Sequence, residues 1–523
     1  MDIKDTSEYK LNSPIQTPAQ EDNNSGQADK NKSLQQVRTD EIDEIFQLAV
    51  KHQLDNRLTD AEQLYHQLLE KQPLHLQALH NLASLRQTQG DSESAIAFYQ
   101  KILKLNPQSG QVYLQLGKIY QQQGSLQDAI SAYRQGISLI NPCYAEILTN
   151  RQKNRTNNKT NNNINLEVRE KISVTPPEHQ GEVSVSNYRF PEIPSVPKEV
   201  AQRPFWSVVL PVYSNDERVN YILECLVSIL TQWTGEEEME IVVVDDNSPI
   251  PLQDLVNQLG IGIVNYYRNS ENRGAYRNFN TAVAISKGQW IHLLHDDDYV
   301  LPGFYNRLRE SLEEFPDSVG AAFTGYQNID EQGKVIFSQQ IYEQEQRIIK
   351  DFAERIGITN PLNMPAVVVR RSTYEHLGGY LPELNYTGDW EFYKRVSAFY
   401  DWWYEPEILA CYREHSQNIT TESMLSGSKG TDVRKAIEVS EKYLLDEISV
   451  KSRHYHFACC LNNAIIPLKA GQISGALLLL QEALKIDNSP DSVTKLFSWL
   501  KQDDLSTLRD EIVSRLLSEG LKV

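Results

Sequence analysis

The sequence has few cysteines, no long hydrophobic run and no excess of positive charge. Five cysteines occur in 523 residues and none share the CxxC spacing of a zinc site, so we expect free thiols rather than disulfides or structural zinc. No apolar stretch approaches the roughly 18–20 residues that cross a bilayer. The N-terminal segment also lacks the apolar core of a signal peptide. These absences predict a cytoplasmic chain without a transmembrane segment.

The charge balance and two missing motifs exclude several classes of function. A net charge of −19 disfavours nonspecific binding to nucleic acid or to anionic lipid, because both are polyanions. No GxxxxGK[ST] loop occurs, and no GxGxxG follows the first predicted strand. The sequence therefore argues against a P-loop NTPase and against an ordinary dinucleotide-binding dehydrogenase. Its length predicts two to four domains.

A repeat of 34 residues follows a polar N-terminal segment. Residues 1–40 have few aromatic residues and no periodicity, which predicts a disordered tail. In residues 41–142, alanines recur at 61, 95 and 129, and tyrosines at 65, 99 and 133. Asn56, Gly90 and Gly124 occupy the predicted turn before each second helix. This spacing resembles the tetratricopeptide repeat, a stacked helix–turn–helix, and predicts three repeats. We expect the repeats to bind either a protein partner or the substrate.

The remaining chain divides into three segments by composition. Residues 143–203 are rich in asparagine and then in proline, which predicts a flexible linker. From 204 to 425, short β-branched runs alternate with amphipathic stretches, so we expect an α/β domain with a mostly parallel sheet covered on both faces. Residues 426–523 are predicted to be helical. There Ala476, Leu480 and Ala483 have the spacing of a repeat's second helix, which indicates a helical cap or one degenerate repeat.

Polar and acidic residues follow three of the predicted strands. The sequences are PVYSND (211–216), DDNSP (245–249) and HDDDY (295–299). In open α/β sheets, ligands bind at the carboxyl ends of the strands, near a switch in strand order. Three adjacent carboxylates repel one another, and such a cluster suits a hard cation that also binds substrate phosphates. The sequence therefore predicts a Mg²⁺ or Mn²⁺ site at this edge.

The ordered set of motifs resembles family 2 of the glycosyltransferases, which have the Rossmann-like glycosyltransferase-A fold. The matching stretches are SVVLPVYSND, VVVDDNSP, SENRGAYRNFNTAVAISKGQWI and HDDDYVLP, followed by VVVRRSTYEHLGGY, GDWEFYKR and CYREHSQNIT. Each motif alone is weakly specific, whereas the set in this order is highly specific. The resemblance covers roughly residues 205–420, and it implies transfer of a sugar from a nucleotide donor.

The resemblance places several residues at the nucleotide sugar. Pro211 and Tyr213 match positions that form the wall around the base, and Asp246 matches the acid that accepts a hydrogen bond from the base ring. The alternative for Asp246 is a cap of the next turn. Arg273 is expected to pair with the diphosphate or ribose, or else to be a solvated loop residue. Asn278 and Asn280 are two residues apart in a predicted helix and cannot both face the ligand, and we favour Asn278.

The aspartate cluster departs from the commonest family pattern, in which an aspartate stands where this chain has His295. The resemblance then makes Asp297 the expected metal ligand, with Asp296 near the ribose and Asp298 in support. A chelate by Asp296 and Asp298 stays open, because side chains of an extended chain alternate and would place these two on one face. The alternative without a function is that the three aspartates form a solvated acidic turn.

Three further positions concern the chemistry and the metal. In GDWEFYKR, Asp389 matches the family's catalytic aspartate and is the expected general base, with Glu391 as second candidate and an N-terminal helix cap as the alternative. Gly388 stands where the family has a glutamate. His415 resembles a position near the diphosphate that completes the metal shell, or it only supports the fold. Arg413 is expected to face the phosphates or an acidic partner.

Together these features predict a metal-dependent, inverting hexosyl- or deoxyhexosyltransferase. The donor is expected to be a nucleotide sugar and the acceptor a hydroxyl group of a glycan, a lipid-linked glycan or a protein. The alternative is an interaction scaffold whose transferase-like domain binds a nucleotide but is catalytically inactive. The two departures from the family pattern, His295 and Gly388, favour this alternative, while the presence of Asp389 and of all three aspartates argues against it.

Overall fold

The structure is a computed structural model, and its described residues form two compact units, one ending at Val112 and one beginning at Tyr113. Of the predicted disordered tail, residues 1–24 lie outside the described residues, whereas residues 25–40 belong to a helix (Ser25–Leu54), which contradicts the prediction there. No described helix is long and apolar enough to cross a bilayer. The described ranges are 25–160, 181–197, 202–215, 218–313, 315–339, 344–350, 352–416, 418–501 and 513–514.

The first unit consists of paired helices with the predicted period. Ala61 and Tyr65, four residues apart on one face of α2, are fully buried, and Ala95 and Tyr99 repeat this arrangement in α4. The turns before these two helices contain Asn56 (φ +58°) and Gly90 (φ +81°), which adopt the left-handed conformation that asparagine and glycine tolerate best. The helices are α1 (Ser25–Leu54), α2 (Leu58–Lys71), α3 (Leu76–Thr88) and α4 (Ser92–Leu105).

The third repeat belongs to the second unit for most of its length. It comprises α5 (Gly110–Gln122) and α6 (Leu126–Ile140), and α7 (Pro142–Thr160) follows. Tyr133 and Tyr144 are buried in one apolar cluster with the central domain. The Asn141 side-chain amide donates to the carbonyl oxygens of Leu230 and Trp233, at 2.8 Å each. The stretch 143–203, predicted as a flexible linker, thus begins with a helix that is packed on the domain.

A ten-stranded sheet forms the centre of the second unit, in the order β10-β12-β8-β11-β6-β3-β4-β5, with β7 and β9 paired to β12 and β8. From β6 to β5 all neighbours are parallel, as predicted, and beyond β6 the pairing is mixed. A separate hairpin contains β1 (Glu182–Val185) and β2 (Tyr188–Pro191). The sheet strands are β3 (Trp206–Val212), β4 (Met239–Asp245), β5 (Val264–Arg268), β6 (Trp290–Leu293), β7 (Tyr299–Val300), β8 (Val319–Ile329), β9 (Val335–Ser338), β10 (Arg347–Ile349), β11 (Val367–Arg370) and β12 (Asp401–Arg413).

Helices cover both faces of this sheet. Val208 and Leu210 of β3 pack into one apolar cluster, and Val209 between them packs into the other, as the alternation along a strand requires. Because β3 lies between β4 and β6, the strand order reverses at β3, and a crevice opens at its carboxyl end. The helices are α8 (Val219–Leu230), α9 (Gln253–Gly260), α10 (Ala275–Ile285), α11 (Phe304–Leu312), α12 (Phe352–Ile358), α13 (Arg371–Leu377) and α14 (Gly388–Phe399).

The C-terminal region is helical, as predicted, and shares its apolar core with one face of the sheet. Ala476, Leu480 and Ala483 are fully buried. Gly471 (φ +74°) precedes Ala476 by five residues, the same separation that joins Gly90 to Ala95, so α17 and α18 reproduce the turn of a repeat. The helices are α15 (Ile419–Ser426), α16 (Ser428–Ser440), α17 (Asp446–Lys469), α18 (Ile473–Ile486) and α19 (Pro490–Leu500).

Candidate active site

A cavity of about 740 Å³ lies at the carboxyl ends of β3, β4 and β6. Its lining includes Pro211 and Tyr213 after β3 and Asp246 after β4. Asp296 and Asp297 after β6 also reach it. The segments that sequence patterns placed at neighbouring strand ends therefore meet in one cavity, at the position where the strand order reverses.

The two aspartates at the end of β4 have different partners. Asp245 accepts hydrogen bonds from the Ser248 backbone N–H (2.7 Å) and the Arg268 guanidinium (2.5 Å), so it is this residue that caps the turn. Asp246 accepts from the backbone N–H groups of Arg273 (3.0 Å) and Gly274 (2.9 Å). Asp246 thereby fixes the loop before α10 while it lines the cavity. Its contact with a nucleotide base stays a prediction.

Arg273 lies in the loop before α10, and Asn278 and Asn280 lie within that helix. Arg273 contributes its backbone N–H to Asp246, and it is not among the described residues that line the cavity. Asn278 donates to the Val244 carbonyl oxygen (2.9 Å) from the cavity wall. Asn280 points elsewhere and pairs with the backbone of Tyr380, at 2.7 and 2.8 Å. As expected, the two asparagines face different partners.

The three adjacent aspartates are arranged by a turn and by one arginine. Residues 296 and 297 form a turn rather than extended chain, so Asp296 and Asp297 both reach the Arg218 guanidinium, at 2.5 and 2.8 Å. Asp298 instead accepts a hydrogen bond from the Arg413 backbone N–H at 2.8 Å. The argument from strand alternation, which put Asp296 and Asp298 on one face, is therefore wrong. The turn breaks the alternation on which that argument depends.

The titration of the cluster follows from burial and from these partners. Burial raises the pKa of Asp296 to about 7, against the opposing charge of Arg218. Burial also raises the pKa of Asp298 well above its usual value. For Asp297, burial acts in the same direction, but the hydrogen bond from His415 and the charge of Arg218 hold its pKa below the usual value. Asp297 is thus the carboxylate most firmly kept ionised.

The residues around Asp297 fit a divalent cation. Ligand atoms of His295, Asp297 and Asp298 lie within 4.8 Å of one another. Among the described residues, the buried atoms His295 Nε2, Asp296 Oδ2 and Asp298 Oδ2 have no hydrogen-bond partner. Buried polar atoms without partners are costly, and a cation would satisfy the carboxylate and imidazole groups. His295, which departs from the family pattern, is therefore placed as a ligand candidate that sequence reasoning missed.

Two other predicted residues contact the cluster from β12 and the loop after it. His415 Nε2 lies 2.9 Å from Asp297 Oδ2. The histidine therefore contacts one candidate metal ligand, but it is not a member of the group formed by His295, Asp297 and Asp298. The Arg413 guanidinium donates to Glu224 (2.6 Å) and to the Asp297 carbonyl oxygen (2.9 Å), and the residue is 1% exposed. Of the two alternatives for Arg413, the structure favours the acidic partner over the phosphates.

Asp389 and Glu391, two residues apart in the first turn of α14, point to different surroundings. Asp389 lines the cavity and accepts a hydrogen bond from the Asn360 amide at 3.1 Å. Burial raises its pKa to about 6. Glu391 is fully buried and pairs with the Arg395 guanidinium, at 3.1 and 2.9 Å. Glu391 is therefore held in a buried ion pair outside the described cavity lining, which contradicts its prediction as a second catalytic candidate.

The structure also reveals lining residues that the sequence analysis did not identify. Arg218 comes from the start of α8, and Asn360 from the loop after α12. Tyr455, Cys459 and Asn463 come from α17 in the C-terminal region. A spacing of four residues on one helix face was the available signal for the last three. Nothing local to Arg218 or Asn360 marks them as site residues.

Two protein-family models match segments of the chain. Residues 207–371 match the model of glycosyl transferase family 2, and residues 76–141 match that of the tetratricopeptide repeat. The chain therefore combines a family 2 glycosyltransferase domain with N-terminal tetratricopeptide repeats, as the sequence predicted.

Individual relatives cover only part of the chain. An uncharacterized glycosyltransferase of Haemophilus influenzae is 27% identical over 36% of this chain and 60% of its own length. A poly(ribitol-phosphate) β-glucosyltransferase of Bacillus spizizenii is 33% identical over 21% of this chain and 18% of its own length. The crystal structure of S. aureus TarS 1-349 in complex with UDP-GlcNAc has a TM-score of 0.43 at 18% identity, covering 54% of this chain and 83% of that one. The chain thus spans less than two thirds of either sequence relative.

Proposed function

We propose that this chain, with its family 2 domain, is a metal-dependent, inverting glycosyltransferase that moves a hexose or deoxyhexose from a nucleotide-sugar donor to a hydroxyl acceptor. One observation carries the proposal. Asp246, Asp296 and Asp297, within the segment that matches the family, line a single cavity together with Asp389 at the switch in strand order. The aspartates proposed to contact the metal and the diphosphate thus share one cavity with the candidate base, which supports the proposal.

Asp389 is the general base of the proposed reaction. A base must be ionised at working pH and accessible to the acceptor hydroxyl, and Asp389 lines the cavity with a pKa of about 6. The Asn360 amide donates to one carboxylate oxygen at 3.1 Å and orients the group. Glu391 is excluded from this role by its ion pair with Arg395.

His295, Asp297 and Asp298 would hold the divalent cation, Mg²⁺ or Mn²⁺. The chemistry that such a cation supplies when bound is neutralisation of the departing diphosphate. Arg218, which contacts Asp296 and Asp297, adds a fixed positive charge beside the same region. His415 orients the Asp297 carboxylate through their 2.9 Å contact, as a second layer of support that metal ligands commonly need.

The acceptor and the role of the repeats are further parts of the proposal. Two relatives carry names that concern polymers, the poly(ribitol-phosphate) β-glucosyltransferase and a chondroitin synthase of Escherichia coli that is 28% identical over 27% of this chain. These names support a glycan acceptor over a protein or lipid-linked one. The repeats would then bind a protein partner, since stacked repeats present an extended concave surface.

A catalytically inactive scaffold is the second candidate, and the Arg218 contacts favour it. One guanidinium already neutralises two carboxylates of the cluster, so nucleotide could bind without a cation. Gly388 in place of the family's glutamate also fits reduced activity.

Turnover of the donor separates the two candidates. The full chain with Mn²⁺ should release nucleoside diphosphate from at least one member of a panel of nucleotide sugars. Asp297→Ala should lose both turnover and Mn²⁺-dependent nucleotide binding measured by calorimetry. The exposed Asp254 in α9 provides a matched control, and Asp254→Ala should behave as the wild type. If nucleotide raises the melting temperature but no donor is turned over, the scaffold is the correct assignment.

A further inference from the structure

The C-terminal helices form a second wall of the candidate active-site cavity, in addition to the wall formed by the strand ends. Tyr455, Cys459 and Asn463 of α17, spaced by four residues, present one helix face to the cavity. Lys429 and Val433 of α16 line it as well. This wall adjoins Asp389, because the ring of the next residue in α14 lies 4.7 Å from the His456 ring of α17.

The chemistry of this wall suits a sugar. Tyr455 is 45% exposed and offers an apolar ring face with a hydroxyl group. The Asn463 amide has no hydrogen bond to any described residue, so its donors and acceptor are available to sugar hydroxyls. Asn363 and Asn385 add two more side-chain amides to the same lining. Aromatic faces beside amides are groups that bind hydroxylated rings.

One side chain gives the wall a positive charge. Lys429 is partly buried, lies 4.7 Å over the Tyr386 ring and forms no ion pair with any described residue. It stands in the first turn of α16, where a cation is unfavourable because the helix dipole is positive at that end. Its contact with the Tyr386 ring is thus the one stabilising interaction shown for the Lys429 ammonium among the described residues, and the helix end does not favour a cation here. The nearest acid along the helix, Asp432, is already bonded to the Tyr386 backbone N–H at 2.6 Å.

We infer that α16 and α17 form an acceptor subsite for a sugar carrying an anionic group, carboxylate or phosphate, with Lys429 as the residue that pairs with the charge. This inference rests on the proposed glycosyl transfer and names the acceptor class for it. Lys429 and Asn463 bind and orient the acceptor, so that one of its hydroxyl groups faces Asp389. Neither residue takes part in proton transfer.

Matched sugars that differ only in charge test the inference. The full chain with Mn²⁺ is titrated by calorimetry with p-nitrophenyl β-glucoside, with the corresponding glucuronide and with the glucoside 6-phosphate. The wild type should bind a charged probe about fivefold tighter than the neutral one. This ratio corresponds to the free energy of a partly exposed ion pair between Lys429 and the anionic group. The ratio between the two charged probes distinguishes a carboxylate from a phosphate as the recognised group.

Variants of two lysines on one helix complete the test. Lys429→Ala should lose the discrimination between charged and neutral probes, and Lys429→Arg should retain it. Lys435 lies on α16 outside the described cavity lining, and Lys435→Ala should discriminate as the wild type does. Melting temperatures check folding, and Lys429→Gln replaces the alanine variant if that one unfolds.

Three results would overturn the inference. They are equal binding of charged and neutral probes by the wild type, no binding of either charged probe at millimolar concentration, and discrimination that persists in Lys429→Ala. The proposed transfer fails by a different result, the absence of nucleoside diphosphate release from any donor. A protein that turns over donor but ignores acceptor charge would therefore disprove the subsite alone.

Discussion

At the scale of single residues, Asp389 gives the proposed reaction a pH dependence. Burial raises its pKa to about 6, and only the ionised form accepts a proton from the acceptor. We expect kcat/KM to fall about tenfold for each pH unit below 6 and to level off above about pH 7. Initial rates of nucleoside diphosphate release in the presence of acceptor measure this. A profile that is flat between pH 5 and pH 7 would assign the base elsewhere.

The same buried carboxyl group costs stability when it is ionised. Because the folded pKa lies above the usual value of 3.8, the folded state binds more protons between pH 4 and 6, and stability falls as the pH rises through this window. Asp389→Asn should remove the penalty and stabilise the protein at pH 8 by at most about 3 kcal/mol, with little effect at pH 4. Urea unfolding at both pH values checks this. Equal effects at the two pH values would contradict it.

Arg218 is expected to stabilise the aspartate cluster when no cation is bound. Arg218→Ala leaves Asp296 and Asp297 buried beside each other without their counter-charge, and should cost about 2 kcal/mol of folding free energy at pH 7. Added Mn²⁺ should raise the melting temperature of this variant more than that of the wild type. Arg277→Ala, at an exposed position of α10, serves as the control. Equal shifts with Mn²⁺ would show that Arg218 and a cation do not serve the same carboxylates.

Sequence motifs located the site residues better than they assigned their partners. Asp246, Asp297 and Asp389 all reach the cavity, as the motifs predicted. The motifs could not show that the partner of Arg413 is Glu224, because β12 and α8 are about 190 positions apart and meet only through the fold. Nor could they show that Glu391 is enclosed with Arg395, since burial depends on packing that the helix pattern leaves open.

At the scale of elements, the third repeat belongs mostly to the second unit, which contains the cavity. Tyr133, Ile137 and Tyr144 are buried in its core, and each such side chain contributes roughly 1.5–3 kcal/mol. A chain that begins at Ser109 should therefore keep the melting behaviour of the second unit. A chain that begins at Cys143, at the predicted domain boundary, should be strongly destabilised. Differential scanning calorimetry of the two chains compares them.

Substitutions of Tyr133 and Tyr65 provide a control within the full chain. Tyr133→Ala should destabilise the second unit, whereas Tyr65→Ala, the equivalent change two repeats earlier, should affect the first unit. If a chain beginning at Cys143 unfolds at the same temperature as one beginning at Ser109, the packing of the third repeat contributes little to stability.

The repeat pattern fixed helices and turns well because it depends on local spacing. The positions that the sequence analysis assigned to turns, Asn56, Gly90 and Gly124, all have positive φ. The helix α7 was missed, because its asparagine-rich sequence resembles a linker and its packing uses Asn141 and Tyr144, whose partners lie in α8, in the segment after it and in α9. Contacts between distant segments, not local propensity, order this helix.

At the scale of the whole molecule, the C-terminal region belongs to the second unit and contributes to its cavity. Its helices share a core with the sheet and line the cavity beside Asp389. The sequence divided the chain at residue 426, because the pattern changes there from alternating strands and helices to helices alone. A change of pattern marks a change of secondary structure, but it does not show whether two segments fold together.

In the proposed reaction, Asp389 acts as base in a cavity that binds a nucleotide sugar. The most direct test measures nucleoside diphosphate release and donor binding for the wild type and for Asp389→Asn, with Mn²⁺ and the donor found in the panel. We predict that the variant binds the donor with unchanged affinity and that its turnover falls by about 10²- to 10⁴-fold, the usual contribution of a general base. Turnover equal to that of the wild type would contradict the role of Asp389 as base.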